Sequence, residues 1–158
     1  MNKQPISIKG FERLTAAIRR LKETERPAIL EAVRRARDLG DLSENADYKT
    51  AKDAQRQIDF EIRRLESIMN NANVIDVDAL AGETVMFGAT VVLEDEDGRT
   101  ISYKILSEYE SDLSKNIIAN TSPLARAMIG KKSGDDCVVK MPAGEREYAI
   151  LEVKYGEN

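Results

Sequence analysis

Three acids fall within seven residues in the stretch Gly40-Asp41-Leu42-Ser43-Glu44-Asn45-Ala46-Asp47-Tyr48, with no basic residue among them. Asp41 and Glu44, three residues apart, fit two chemistries. One is a capping box: Asp41 caps a following helix, Glu44 reaches back to the cap's amide, and Asp47 is a first-turn acid favoured by the helix dipole. The other is metal assistance. Mg²⁺ takes carboxylate and water oxygens in an octahedron and is commonly held by one or two carboxylates plus groups from a partner. Asp41 and Glu44 supply two ligands and not a full shell. Alone they would bind Mg²⁺ poorly, but they could complete a two-metal centre in an enzyme that already holds one ion. Arg34, Arg35 and Arg37 precede the acids, and Lys49, Lys52 and Arg56 follow them. Arg37 and Lys52 are expected to flank the acids and would suit RNA phosphates. For at least half of the six, an ordinary solvated helix surface is the alternative.

Such a segment must be held by the long patterns on either side. Before it, Phe11, Leu14, Ile18 and Leu21 step by three and four, as one helix face requires, with Ser7 as the expected N-cap. Pro27 should kink or restart this helix by removing an amide hydrogen bond. The stripe is expected to resume at Ala28, Ala32, Ala36 and Leu39, and Gly40 is a natural stop. After the acids, Tyr48, Ala51, Gln55, Ile58, Ile62, Leu65, Met69 and Ala72 keep the same period. Two such helices, each about 45 Å long at 1.5 Å rise per residue, predict an antiparallel hairpin with the acids at its tip. Met1 to Pro5 reads as a loose lead-in.

Beyond Asn73 the pattern changes. Val74 to Val77 reads as a short strand or linker, and after Gly82 the chain is strand-like. Ala89–Glu94 and Thr100–Leu106 flank the hairpin signal Asp97-Gly98. Asn116–Ala119 reads as another short strand. Ser122 or Thr121 can cap a short helix through Ile129, with Pro123 where an early proline is tolerated. Cys137–Met141 and Glu147–Tyr155 form a second hairpin around Pro142-Ala143-Gly144. The fold class is α+β, with a helical hairpin over residues 1–76, its tip at 40–48, and a small antiparallel sheet with one helix over 77–158.

The bulk numbers exclude several classes of function. The chain of 158 residues has no histidine and one cysteine, which removes a histidine-based triad and the usual zinc site. Cys137 reads as a small core residue. No apolar run approaches a membrane span, so a cytoplasmic protein without membrane contact is expected. Residues 1–76 carry 15 basic and 13 acidic side chains, net +2, and residues 77–158 carry 9 and 15, net −6. This asymmetry argues against general DNA coating and is compatible with local nucleic-acid contact by the first half.

Two motifs then resemble a known family. The run ARDLGDLSENADYKTAKDAQ is similar to the tip of the GreA/GreB family of bacterial transcript-cleavage factors, and SPLARAMIGKKSGD resembles that family's second signature. NANVID and VMFGATV match its joint and the opening of its second domain, so the similarity spans essentially the whole chain. The resemblance implies an N-terminal antiparallel coiled coil and a C-terminal FKBP-like domain. It implies a factor that is not itself an enzyme. The factor would bind RNA polymerase, insert the coiled coil through the secondary channel and stimulate the polymerase's own cleavage of backtracked RNA at its 3′ end. Carried over by position, Asp41 and Glu44 become the acids that share a Mg²⁺ with the polymerase, with no cofactor held stably alone. Asn45 and Tyr48 support the tip, Arg37 and Lys52 face RNA, and Ser122, Pro123, Leu124, Ala125 and Arg126 belong to the polymerase-binding domain. DNA is met only within the transcription complex, and the factor is expected as a monomer. A non-catalytic channel plug and a structural coiled-coil adaptor are the other classes. Retained Asp41 and Glu44 argue against the plug, and acids placed only at the tip argue against the adaptor.

Overall fold

The computed structural model describes residues 3–40 and 45–156. The chain forms two compact units, Phe11–Ala72 and the combination of Met1–Gly10 with Asn73–Asn158.

The first unit is a helical hairpin. Helix α1 (Ile8–Arg20) buries Leu14 and Ile18. Leu21–Glu25 then makes a single π turn, in which the Arg26 amide donates to the Leu21 carbonyl five residues back. Helix α2 (Arg26–Asp38) follows directly with Pro27 in its first turn, and the missing Pro27 amide falls at the junction with the widened π turn. The backbone stays helical throughout, so the irregularity expected at Pro27 is a π turn ahead of it and not a restart. The wider π turn takes in one residue more than an α turn, and the apolar stripe beyond it is displaced accordingly. Val33 and Ala36 are buried and Ile29 is half-buried, whereas Ala28 is exposed, Ala32 is half-buried and Leu39 is 75% exposed. The stripe expected to include Ala28 and Leu39 is corrected by this shift, whereas Ala36 is buried as expected.

Helix α3 (Ala46–Asn70) buries Ala51, Ile62 and Leu65 and half-buries Tyr48, Gln55, Ile58 and Met69 along the same face, as its period requires. Cross-helix contacts show the antiparallel sense. Lys22 pairs with Glu66, Arg26 Nε meets Asp59 Oδ1 at 2.7 Å, and the Ala36 carbonyl meets Asn45. Partly exposed pairs contribute little energy. The buried seam supplies the cohesion and the charges favour this register.

In the second unit, strand β1 (Gln4–Ser7) pairs with β2 (Ala72–Ile75). Residues 4 and 5, expected to be a loose lead-in, are therefore strand. The first ten residues group with the second half of the chain. Nothing in Gln4–Ser7 itself signals a strand; its partner is supplied only after the hairpin has been traversed.

The main sheet contains β3 (Thr90–Glu94), β4 (Thr100–Leu106), β5 (Ile117–Ala119), β6 (Asp136–Met141) and β7 (Gly144–Lys154), in the order β5-β4-β3-β7-β6. Both expected hairpins, β3–β4 and β6–β7, are present. The expectation of a wholly antiparallel sheet is corrected: β4 and β5 are parallel, with Lys104 opposite Ile117. Residues 107–116 double back through 3-10 turns at Glu108–Glu110 and Leu113–Lys115, and Asn116 takes a left-handed conformation at φ 56°. Helix α4 (Pro123–Met128) is capped by Ser122, whose hydroxyl accepts from the Ala125 amide at 3.2 Å. Its Leu124, Ala125 and Met128 join a core of Val85, Ala89, Val91, Leu93, Ile105, Ile118, Cys137, Val139 and Ile150. Strand alternation is clear on β6, where Cys137 and Val139 point inward and Val138 is 47% exposed.

Leu93 is fully buried, so Leu93→Ala should cost about 2–5 kcal/mol. Val138→Ala on the outer face should stay within about 0.5 kcal/mol. Denaturant unfolding followed by tyrosine fluorescence would measure both.

Candidate functional site at the hairpin tip

A tip between two helices has a chemical problem before it has a function: the last carbonyls of one helix and the first amides of the next lack intrahelical partners. Asn45 addresses both. It is the N-cap of α3, at φ −87° and ψ 97°, and its Oδ1 accepts from the Tyr48 amide at 3.0 Å. Its Nδ2 donates to the Ala36 carbonyl near the end of α2 at 2.5 Å. At that end the Leu39 amide also bonds to Ala36, at 3.3 Å, and Gly40 adopts φ +146°, which side-chain-bearing L residues rarely adopt. Asp47 lies in the first turn of α3.

Asp41 and Glu44 lie outside the described residues; in sequence they stand between Gly40 and Asn45. The place that a capping box would give to Asp41 is held by Asn45, because α3 begins at Ala46. Sequence reasoning missed this clasp. The signal was available, since asparagine ahead of an apolar-periodic run is a helix start, but Asp41 and Glu44 offered a more familiar pattern.

The structure sorts the six basic residues by what they already hold. Arg34 donates to Glu31 at 2.5 and 3.0 Å and to Asp38 at 3.1 Å, Arg35 reaches Glu31 at 3.2 Å, and Arg56 reaches Asp53 at 2.6 Å. The Arg34 guanidinium bonded to Glu31 lowers that carboxyl to about 2, so Glu31 remains ionised at neutral pH. Lys52 is half-buried, its Nζ donates to the neutral Gln55 amide oxygen at 3.1 Å, and it makes no ion pair among the described residues. Arg37 and Lys49 are exposed and make no ion pair among the described residues. Arg37 directly follows Ala36, the Asn45 partner, and Lys49 donates its amide to the Asn45 carbonyl. The cations available near the clasp are therefore Arg37, Lys49 and Lys52.

The second-signature residues divide by burial. Leu124 and Ala125 face the core, Ser122 is half-buried as the cap, and Pro123 and Arg126 are exposed. Cys137 is buried, and that burial pushes its thiol up, away from the reactive thiolate. Among the described residues, no three His, Cys, Asp or Glu side chains gather as metal ligands, and no helix is long and apolar enough to cross a membrane.

Comparison with known proteins adds independent information. A family model described as "Transcription elongation factor, N-terminal" matches residues 4–74, and one described as "Transcription elongation factor, GreA/GreB, C-term" matches residues 80–155. The transcription elongation factor GreA of Halorhodospira halophila is 45% identical over 157 residues, covering 98% of this chain and 99% of its own. That of Anaeromyxobacter sp. (strain K) is 47% identical over 158 residues, covering 99% and 95%. The solved GreA factor homolog 1 of Thermus thermophilus is 24% identical, with 97% of this chain and 99% of that chain covered at a TM-score of 0.46.

Asn45→Ala removes a cap and a cross-helix bond together and should destabilise the hairpin by about 1–2 kcal/mol. Asn45→Asp keeps the acceptor for Tyr48 and loses the donor to Ala36, so it should fall between. Thermal unfolding followed by circular dichroism at the helical signal would rank the three proteins.

Proposed function

The chain belongs to the GreA/GreB family of transcription elongation factors, and on that premise we propose that it rescues backtracked transcription complexes. It binds RNA polymerase, inserts the hairpin tip into the secondary channel and stimulates the polymerase's own Mg²⁺-dependent cleavage of the RNA 3′ end, after which elongation resumes. The observation that carries the reading is the clasp: with Asn45 capping α3, the capping duty once open to Asp41 and Glu44 is already met.

Two carboxylates fit Mg²⁺ by donor type and fall short of its shell by number, which suits an ion shared with the polymerase. Such an ion, when bound, supplies charge neutralisation and an activated water. Asp41 and Glu44 are the residues that would hold it. Arg37 and Lys52, with Lys49 beside them, retain charge for RNA phosphates, and their work is electrostatic. Pro123 and Arg126 present the accessible part of the second signature to the polymerase, with Ser122 fixing the turn and Leu124 and Ala125 seating it. The factor contributes no complete catalytic set and is not an enzyme by itself. It acts as a monomer in the cytoplasm, meeting DNA only within the transcription complex.

RNA shortening in a stalled elongation complex tests this across a concentration series of the factor. The unaltered chain should shorten the RNA. Asp41→Ala and Glu44→Ala should lower cleavage by at least about tenfold even at saturation, since a lost metal ligand is not replaced by more protein. Arg37→Ala with Lys52→Ala should require roughly tenfold more factor and then recover most of the rate, with the deficit growing as salt is raised. Wild-type cleavage by both acid variants would overturn the metal role. Binding without cleavage by the unaltered chain would identify a channel plug.

A further inference from the structure

Outside the tip, the buried ionisable side chain that stands apart is Glu110, 4% exposed and flanked by two buried serines, Ser7 and Ser107. Its partners follow a pattern. At its own turn, Ser107 is the N-cap and Glu110 the third residue: the Ser107 hydroxyl accepts from the Glu110 amide while Glu110 Oε2 accepts from the Ser107 amide at 3.2 Å and its hydroxyl at 2.7 Å. That is a complete capping box.

The start of α1 has half of another. Ser7 precedes Ile8, and its hydroxyl accepts from the Gly10 amide at 3.0 Å, so Gly10 is the third helical residue. A capping box would place Glu or Gln there, reaching back to the cap's amide. Gly10 has no side chain, and α1 has no acid in its first turn. The missing bond comes from elsewhere. Glu110 Oε2 accepts from the Ser7 amide at 3.3 Å, and Oε1 accepts from the Ser7 hydroxyl. A Cβ built on Gly10 would lie 2.3 Å from Glu110 Oε1, so the carboxylate occupies the space a local side chain would fill. Because the Ser7 hydroxyl donates its hydrogen to Glu110, a lone pair of that oxygen is left turned toward the Gly10 amide.

We infer that Glu110 is a positioning residue that closes two capping boxes with one carboxylate, making the first turn of α1 and the turn at Glu108–Glu110 a single cooperative element. The start of α1 is incomplete without Glu110, and that carboxylate is the one already serving the Ser107 turn. A residue more than a hundred positions along the chain decides where the first helix begins. Gly10 is glycine because the box is closed from outside.

Residue-resolved amide hydrogen exchange on the full chain tests this. Glu110→Gln should speed exchange at the Gly10 amide and at the Ser107 and Glu110 amides together, by about tenfold or more, with Val91 and Ile105 unchanged. Ser7→Ala, a milder change, should loosen both turns as well, because it strands part of a buried carboxylate's bonding. The decisive arm is Gly10→Glu combined with Glu110→Ala, which moves the carboxylate to the local third position. It should restore protection at residue 10 while leaving residues 107–110 unprotected. Exchange at Gly10 that ignores Glu110→Gln, a Ser7→Ala effect confined to Gly10, or failure of the double variant to separate the two turns would overturn the inference.

Discussion

An α-helix cannot satisfy its own first amides or last carbonyls, and a chain whose long helices and short turns expose such ends must find partners for them elsewhere. Here single side chains serve two ends at once. Asn45 offers its carbonyl oxygen to α3 and its amide hydrogens to α2. Glu110 offers its two oxygens to the starts of two elements far apart in sequence. Sharing of this kind leaves few residues at the ends committed to capping. At the start of α3, one residue carries the cap.

Charge is divided in the same spirit. The arginines at 34, 35 and 56 are tied to carboxylates one turn away on their own helix. Such pairs lend helix stability and leave no field for a distant phosphate. Arg37, Lys49 and Lys52 lack such a carboxylate among the described residues, and they cluster by position near the Asn45 clasp. A modest excess of positive charge in residues 1–76 is thus concentrated in effect, because much of the rest is internally cancelled.

Much of this was legible in the sequence, and the failures have physical causes. The α3 stripe from Tyr48 to Met69 could be read because one helix without interruption keeps one period. The β3–β4 and β6–β7 hairpins announced themselves through local turn residues. The α2 stripe was displaced because a π turn inserts one residue into the count, and no residue type marks such a turn. Strand β1 and the parallel β4–β5 pair were missed because both depend on partners supplied at a distance, whereas local propensity describes a strand and not its neighbour. At the tip, the acids were visible as a pattern, but the capping box weighed as one of their two chemistries was built on Asp41 and Glu44, with Asn45 read only as support. On α4, spacing alone did not separate Leu124 and Ala125, which pack inward, from Pro123 and Arg126, which face out.

The pairing of β1 with β2 also bears on how the chain is made. Synthesis delivers roughly 5–20 residues per second, so Gln4–Ser7 leaves the ribosome well before Ala72–Ile75, and earlier still than Glu110. During that interval the segment has no native strand beside it, and an unpaired strand is a template for the wrong neighbour. Pro5 stands inside it. A proline has no amide to donate, so it interrupts the ladder that an intruding chain would need. The residue that leaves β1 hard to recognise as a strand is also what keeps it a poor template for a stranger while its partner is still being made.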